Sequence, residues 1–181
     1  MSSMVNRGLV VLLVGAVFLL AGCGGCKTKI KPYNIAVTLG PSLYDEQAGG
    51  WPSVEVDIVS VKDPQLAAWQ QMPIRDYFNG DPLREDGNPY RMTFPNNAPR
   101  TPAPTRSITA GDAHWNDALW KDAEWLVIIA WIPNYSGSAA GDDPRRQVLP
   151  RDWCEWKTQQ LDIRVDRTGI NVLTPKAPKQ N

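Results

Sequence analysis

Two cysteines stand three positions apart in FLLAGCGGCK, at Cys23 and Cys26. A Cys-x-x-Cys pair holds a metal or cycles through a disulfide when its thiols are accessible. A structural zinc site wants four Cys or His ligands, and beyond this pair the chain offers Cys154 and a single histidine, His114. A Ser–His–acid or Cys–His device would have to use His114. That residue lies in DAHWND, which has no nucleophile elbow, and reads as an exposed loop histidine. Asp142-Asp143 lacks the further ligands at fixed spacing that a calcium loop needs and reads as a solvated turn. No pair of carboxylates is marked out for glycoside hydrolysis, and no glycine loop is built to cradle a phosphate. No catalytic set, metal or cofactor is expected, and the chain reads as a non-enzyme.

What precedes Cys23 gives the cysteine pair another meaning. Met1–Arg7 is polar with one cation, and Gly8–Ala21 (GLVVLLVGAVFLLA) is apolar throughout. The run falls short of the ~20 residues of a spanning helix. A charged start, an apolar middle and small residues at the end make a secretory signal peptide. Its end, Leu20-Ala21-Gly22-Cys23, resembles the lipobox of bacterial lipoproteins. That resemblance implies cleavage before Cys23, diacylglycerol on its thiol and an acyl chain, commonly palmitate, on its new amino group. Two or more chains hold a protein stably at a membrane, where one holds it marginally. In such lipoproteins an Asp directly after the acylated cysteine retains the protein at the inner membrane. Gly24 stands there, so the resemblance implies the periplasmic face of the outer membrane. Cys26 then sits beside the anchor. It can pair with Cys154 in an oxidising compartment, although connectivity is not read from sequence.

The domain that such an anchor would carry has to be built from strands. The chain carries sixteen prolines and eight tryptophans, and Lys+Arg balances Asp+Glu at 19 each. Proline at this level opposes a helical bundle, and a neutral chain has no global field to draw in nucleic acid. Residues 1–22 read as leader, 23–32 as a tether that lets the domain stand off the lipid, 33–174 as one domain and 175–181 as a tail. Tyr33–Leu39 alternates as a half-buried strand. Gly40–Ser53 is a Gly/Pro loop. Val54–Val61 is a second strand whose apolar phase shifts at Val59, so either both its faces are covered or a bulge intervenes. Asp63-Pro64 starts a small helical insert that ends at about residue 79. Asp81–Arg106 reads as mostly irregular, with a short strand at Tyr90–Phe94. Ala113–Lys121 forms a helical turn. Glu124–Ile132 is apolar on both faces and predicts a central strand. Pro133–Asp152 reads as a polar loop, and Trp156–Asp166 with Ile170–Leu173 as a hairpin. The expected fold is mostly β: a two-sheet antiparallel sandwich with a small helical insert.

The order lipobox, tether, strand, Gly/Pro loop and PSVEVDIVSVKD carries a resemblance. Gly50, Pro52, Val54, Val56, Val61, Lys62 and Asp63 look like the pattern of the type VI secretion outer-membrane lipoprotein, the J subunit, best over Tyr33–Phe78. This implies a transthyretin-like sandwich with an added helical region. It also implies a non-catalytic role: tethering the trans-envelope membrane complex by binding the periplasmic C-terminal region of its large inner-membrane subunit, with the loop between the first two strands taking part. Within that loop Leu43, Tyr44 and Trp51 are the expected contacts, chosen because apolar and aromatic loop residues make anchors. The stretches Asp81–Arg106 and Ser136–Arg151 and the tryptophan content depart from the pattern. The alternative is a lipid-anchored envelope binding module that holds a glycan or another envelope component through exposed tryptophans, Trp51 among them.

Overall fold

Eight strands make two four-stranded sheets in the computed structural model, which describes residues 31–135 and 142–178, with the backbone alone at Trp153. The leader, Cys23, Cys26 and most of the tether lie outside the described residues. The first sheet has the order β4-β1-β7-β8 and the second β3-β2-β5-β6. The strands are β1 (Asn34–Leu39), β2 (Val54–Val61), β3 (Tyr90–Phe94), β4 (Thr105–Ile108), β5 (Trp125–Trp131), β6 (Arg146–Pro150), β7 (Gln160–Asp166) and β8 (Gly169–Val172). Four short α-helices accompany them: α1 (Asp63–Gln71), α2 (Ile74–Phe78), α3 (Pro82–Asp86) and α4 (Ala118–Lys121).

The two-sided strands explain the layers. In β2, Val54, Val56 and Ile58 enter the core between the sheets, while Val59 and Val61 turn to the outer face. β5 divides likewise, with Leu126, Ile128 and Ala130 inward and Val127 and Ile129 outward. The outer valines and isoleucine meet Trp69, Met72, Ile74 and Tyr77 of the helical insert and its joints. The phase shift at Val59 is thus a second core, with both faces covered. The regular register Glu55↔Trp131 through Val61↔Trp125 contains no bulge.

Four expectations change. The insert continues through α3, because Asp81 accepts the Leu83 N–H at 2.8 Å and starts another turn at Pro82. Asp81–Arg106 holds β3 and the start of β4, so it is less irregular than its prolines implied. Within the expected loop Pro133–Asp152, β6 forms an edge strand on β5, Ile129↔Arg146 to Trp125↔Pro150. Its side chains alternate poorly and two of its five residues are Arg and Pro, so pairing to β5 defines it where composition does not. Finally, β1 pairs with β7 in parallel, Asn34↔Gln160 to Leu39↔Val165, inside an otherwise antiparallel sandwich. A parallel pair needs a crossover connection, and here the whole second sheet lies between the two strands in sequence.

The insert is fixed by charge as well as by packing. Asp57 of β2 is fully buried, and its Oδ2 accepts from the Tyr77 hydroxyl at 2.9 Å and from Arg84 Nε at 2.8 Å. Arg84 also reaches Glu55 at 2.7 Å and lies 4.6 Å from the Phe78 ring centre. Burial and the neighbouring Asp57 carboxylate push the Tyr77 hydroxyl far above its ordinary range, so it remains a donor. Arg146 donates to the carbonyls of Gln70 and Met72, placing a cation at the C-terminal end of α1, where the helix dipole favours one.

Candidate partner-binding end

Strand directions sort the loops into two groups. Odd-numbered strands run toward one end and even-numbered strands away from it. Gly40–Ser53, the β3–β4 loop, the segment after β5 and the β7–β8 turn therefore gather at one end. The chain's entry at Tyr33, the segments 109–124 and 151–159 and the exit after β8 gather at the other, the base.

The base is aromatic. Tyr33 packs 5.0 Å from Trp115, which meets Trp120 edge-on at 5.5 Å. Trp115 Nε1 donates to the Thr109 carbonyl at 2.9 Å and Trp120 Nε1 to that of Asn88 at 3.3 Å. The buried Arg151 lies 5.4 Å from the Trp115 ring centre, and burial lowers its pKa from the usual arginine value against the pull of Tyr33 and Asp122. His114 is not a loose loop histidine: it is about one-third exposed, sits between the rings of Tyr90 and Trp120, and has Asp112 Oδ1 3.3 Å from its Nδ1.

At the opposite end Gly40–Ser53 is a folded unit. Its start is pinned to β7, because Gly40 N–H donates to the Val165 carbonyl at 2.7 Å and Ser42 Oγ to Asp166 Oδ1 at 2.9 Å. Arg167 N–H donates back to Ser42 Oγ at 3.0 Å. A β-carbon at position 40 would stand 2.0 Å from Asp166 Oδ1, so this close approach needs the glycine. A 3-10 turn over Pro41–Leu43 then drops Leu43 into the core. Asp45 and Gly50 exchange backbone hydrogen bonds of 2.8 and 3.1 Å, closing a small hairpin. Within it the Asp45 carboxylate accepts the N–H groups of Gln47 at 2.8 Å and Ala48 at 3.0 Å, which hold its pKa below the ordinary value. Gly49 takes the left-handed φ of 64° that lets the hairpin turn.

The three expected contact residues come together here but differ in exposure. Leu43 and Trp51 are buried at 3% and 4%. Tyr44 is half-buried and meets Trp51 edge-on at 5.3 Å. Trp51 Nε1 donates to the Pro99 carbonyl at 3.0 Å, tying the loop to the β3–β4 loop. Arg100 completes the link: its guanidinium lies 4.9 Å from the Tyr44 ring centre and forks onto Glu46. Beside Trp51 lies a cleft of about 340 Å³, bordered also by Ala48, Asn96, Asn134 and Arg167. The exposed Trp51 of the sequence reading is thus corrected. A Gly/Pro-flanked loop reads as solvent-exposed, but its indole closes the open end of the sandwich. Among the described side chains no tryptophan is exposed, so the exposed-tryptophan feature of the binding-module alternative is missing there. The Glu46–Arg100 and Ser42–Asp166–Arg167 links were not legible in the sequence, since their members lie far apart and follow no motif. Asp143 is also buried, not solvated. Burial raises its pKa, but the Arg145 guanidinium and backbone N–H more than offset this and hold it below the usual carboxylate value.

No family model and no curated protein matches the chain. Solved structures do. A chain of a type VI membrane complex superposes with a TM-score of 0.53 at 19% identity, over 80% of this chain and 99% of that one. A chain from the structure of the T6SS protein TssM C-terminal domain from EAEC gives 0.52 at 19% identity, over 78% and 99%. The T6SS lipoprotein TssJ1 from Pseudomonas aeruginosa gives 0.41 at 16% identity, over 81% and 99%. The mostly β, two-sheet sandwich with a helical insert is therefore both the fold expected from the sequence and a fold shared with chains of type VI secretion structures.

Proposed function

We propose that this chain is a lipid-anchored lipoprotein on the periplasmic face of the outer membrane that tethers a type VI secretion membrane complex. Acylated Cys23 holds the lipid, and the end carrying Gly40–Ser53 binds the periplasmic C-terminal region of the large inner-membrane subunit. The observation that carries the reading is the placement of the two ends. The chain enters the sandwich at the base, through Tyr33, and the folded loop with Leu43, Tyr44 and Trp51 stands at the far end of the strands. A protein that links a membrane to a partner needs such an arrangement. The shared fold with a chain of a type VI membrane complex and the lipobox resemblance at Cys23 support it.

On this reading Leu43 and Trp51 are the packed floor of the site, and Tyr44 with the Asp45–Gly50 hairpin is its face. Calorimetric titration with the periplasmic region of the inner-membrane subunit tests it. One-to-one binding that Tyr44→Ala weakens at least about tenfold, the loss of one edge contact of an anchor residue, is the expected result. Binding that is absent, or indifferent to Tyr44, rejects this site. Separately, Cys23→Ser should release the protein from the membrane fraction, and full retention would reject the lipid anchor.

A further inference from the structure

The cleft beside Trp51 is lined by the apolar Trp51, Pro52 and Pro133 and by the exposed polar residues Arg167, Asn96 and Asn134. Arg167 is fastened twice: its backbone N–H donates to Ser42 Oγ at 3.0 Å and its Nε to the Ser42 carbonyl at 3.1 Å. Its Nη1 and Nη2 have no hydrogen-bond partner among the described residues, and neither have the side-chain amides of Asn96 and Asn134. On the tethering reading above, on which this rests, we propose that the cleft takes an acidic side chain, Asp or Glu, carried on an extended segment of the partner. Arg167 forks onto its carboxylate, and Asn96 and Asn134 meet the peptide groups beside it.

Charge complementarity points to an anion. The acid that borders the cleft, Asp45, accepts the Gln47 and Ala48 N–H groups on its Oδ1, and no ion pair joins it to Arg167. Next to the lining residues, Glu46 is forked by Arg100, and Asp166 accepts from Ser42 Oγ, Arg164 Nε and Asn171 Nδ2. The local carboxylates are therefore already engaged, while Arg167, the cation among the cleft's described residues, keeps two donors.

The terminal nitrogens of a guanidinium match a carboxylate in plane and spacing, as a lysine ammonium does not. Arg167 is also prepared for the task. Ser42, which holds it, is itself tied to Asp166 and lies in the segment that Gly40 pins to β7. A side chain already ordered in this way loses little freedom on binding. Trp51, Pro52 and Pro133 lower the dielectric around the pair, which strengthens it. A side-chain amide offers both a donor and an acceptor, so Asn96 and Asn134 suit the peptide groups of an extended segment. At about 340 Å³ the cleft is in the size range of ligand pockets and admits an acidic side chain with its backbone. Trp51 joins it to Tyr44, whose ring it meets edge-on, so the cleft continues the face of the tethering site.

The test titrates the full chain in detergent micelles with the periplasmic C-terminal region of the inner-membrane subunit. Arg167→Met should weaken one-to-one binding at least about tenfold, as truncating one member of an interfacial charge pair does. Raising salt from about 50 to about 500 mM should weaken the native complex and affect that variant less. Asn96→Asp with Asn134→Asp should weaken binding too, by setting two carboxylates beside the third. Aspartate accepts the left-handed φ of 59° at position 134, so this second variant keeps the fold. Arg167→Glu should lose binding and regain it against a partner region in which one Asp or Glu is reversed to Lys, and that residue is the occupant. Native binding that Tyr44→Ala weakens, but that Arg167→Met and the double asparagine change leave as it was, would overturn the occupied cleft and leave the tethering site standing. Rescue by no single reversal, with binding lost instead when the partner's chain end is amidated, would overturn the acidic side chain in favour of a terminal carboxylate. No binding of the native chain would overturn the tethering site and this inference together.

Discussion

Arg84→Ala tests how the helical insert is held. The guanidinium makes two contacts of unequal weight. Its bond to Asp57 is internal: the Arg84 side chain is 16% exposed and that of Asp57 1%. Removing one partner of a buried pair costs about 3–5 kcal/mol, because the other charge is left uncompensated. The bond to Glu55 involves a carboxylate that is 43% exposed and contributes at most about 1 kcal/mol. The stacking on Phe78 adds about 0.5–1 kcal/mol. A loss of about 4–6 kcal/mol is expected, a large part of the 5–15 kcal/mol of a typical domain. Urea unfolding followed by tryptophan fluorescence measures it. The triple change Asp57→Leu, Tyr77→Phe, Arg84→Met removes the buried polar members at once, leaving only the half-exposed Glu55, and should recover most of the loss, since apolar replacement of a buried pair is often neutral or better. A single-variant loss below about 1 kcal/mol would refute the reasoning, because Asp57 could not then depend on Arg84.

Trp51→Ala should cost about 3–5 kcal/mol, as for other buried aromatics, and an unchanged urea midpoint would show that the indole does not close the sandwich. Its effect on partner binding must therefore be compared with that of Tyr44→Ala, which leaves the floor of the site in place. Asp45 titrates below its unfolded value, so its contribution to the hairpin is complete above the unfolded pKa and disappears as pH falls through the lower folded one. The protection factors of the Gln47 and Ala48 amides, with the intrinsic pH dependence of exchange divided out, should fall over that acid window in the native chain. In Asp45→Ala that protection should be missing at every pH, and a native protection factor that does not change through the acid window would contradict the carboxylate bonds.

The strands were legible where burial imposes a period. Tyr33–Leu39 alternates because one face of β1 meets the core and the other does not. Glu124–Ile132 is apolar on both faces because β5 lies between two cores, and the same cause produced the phase shift in Val54–Val61. Asp63-Pro64 announced α1, since a proline in the first helical turn is a local signal; Asp63 is the first helical residue, Lys62 its cap and Pro64 the second. The expected leader and Cys23 rest on composition and order alone and lie outside the described residues.

Other features depended on residues that the chain brings together from a distance. β6 exists because β5 offers it an edge, and its own five residues carry no period that would reveal it. The parallel seating of β1 on β7 joins segments separated by the entire second sheet, and local pattern has no access to that choice. Trp51 looked exposed because its neighbours are Gly and Pro. Its burial follows from the Pro99 carbonyl and the Tyr44 ring, which only the folded loops bring to it. The sequence by itself determined which segments must be covered. The tertiary structure decided what covers them, because side-chain burial at a loop or an edge is a property of the partners, and those are set by the packing of distant segments.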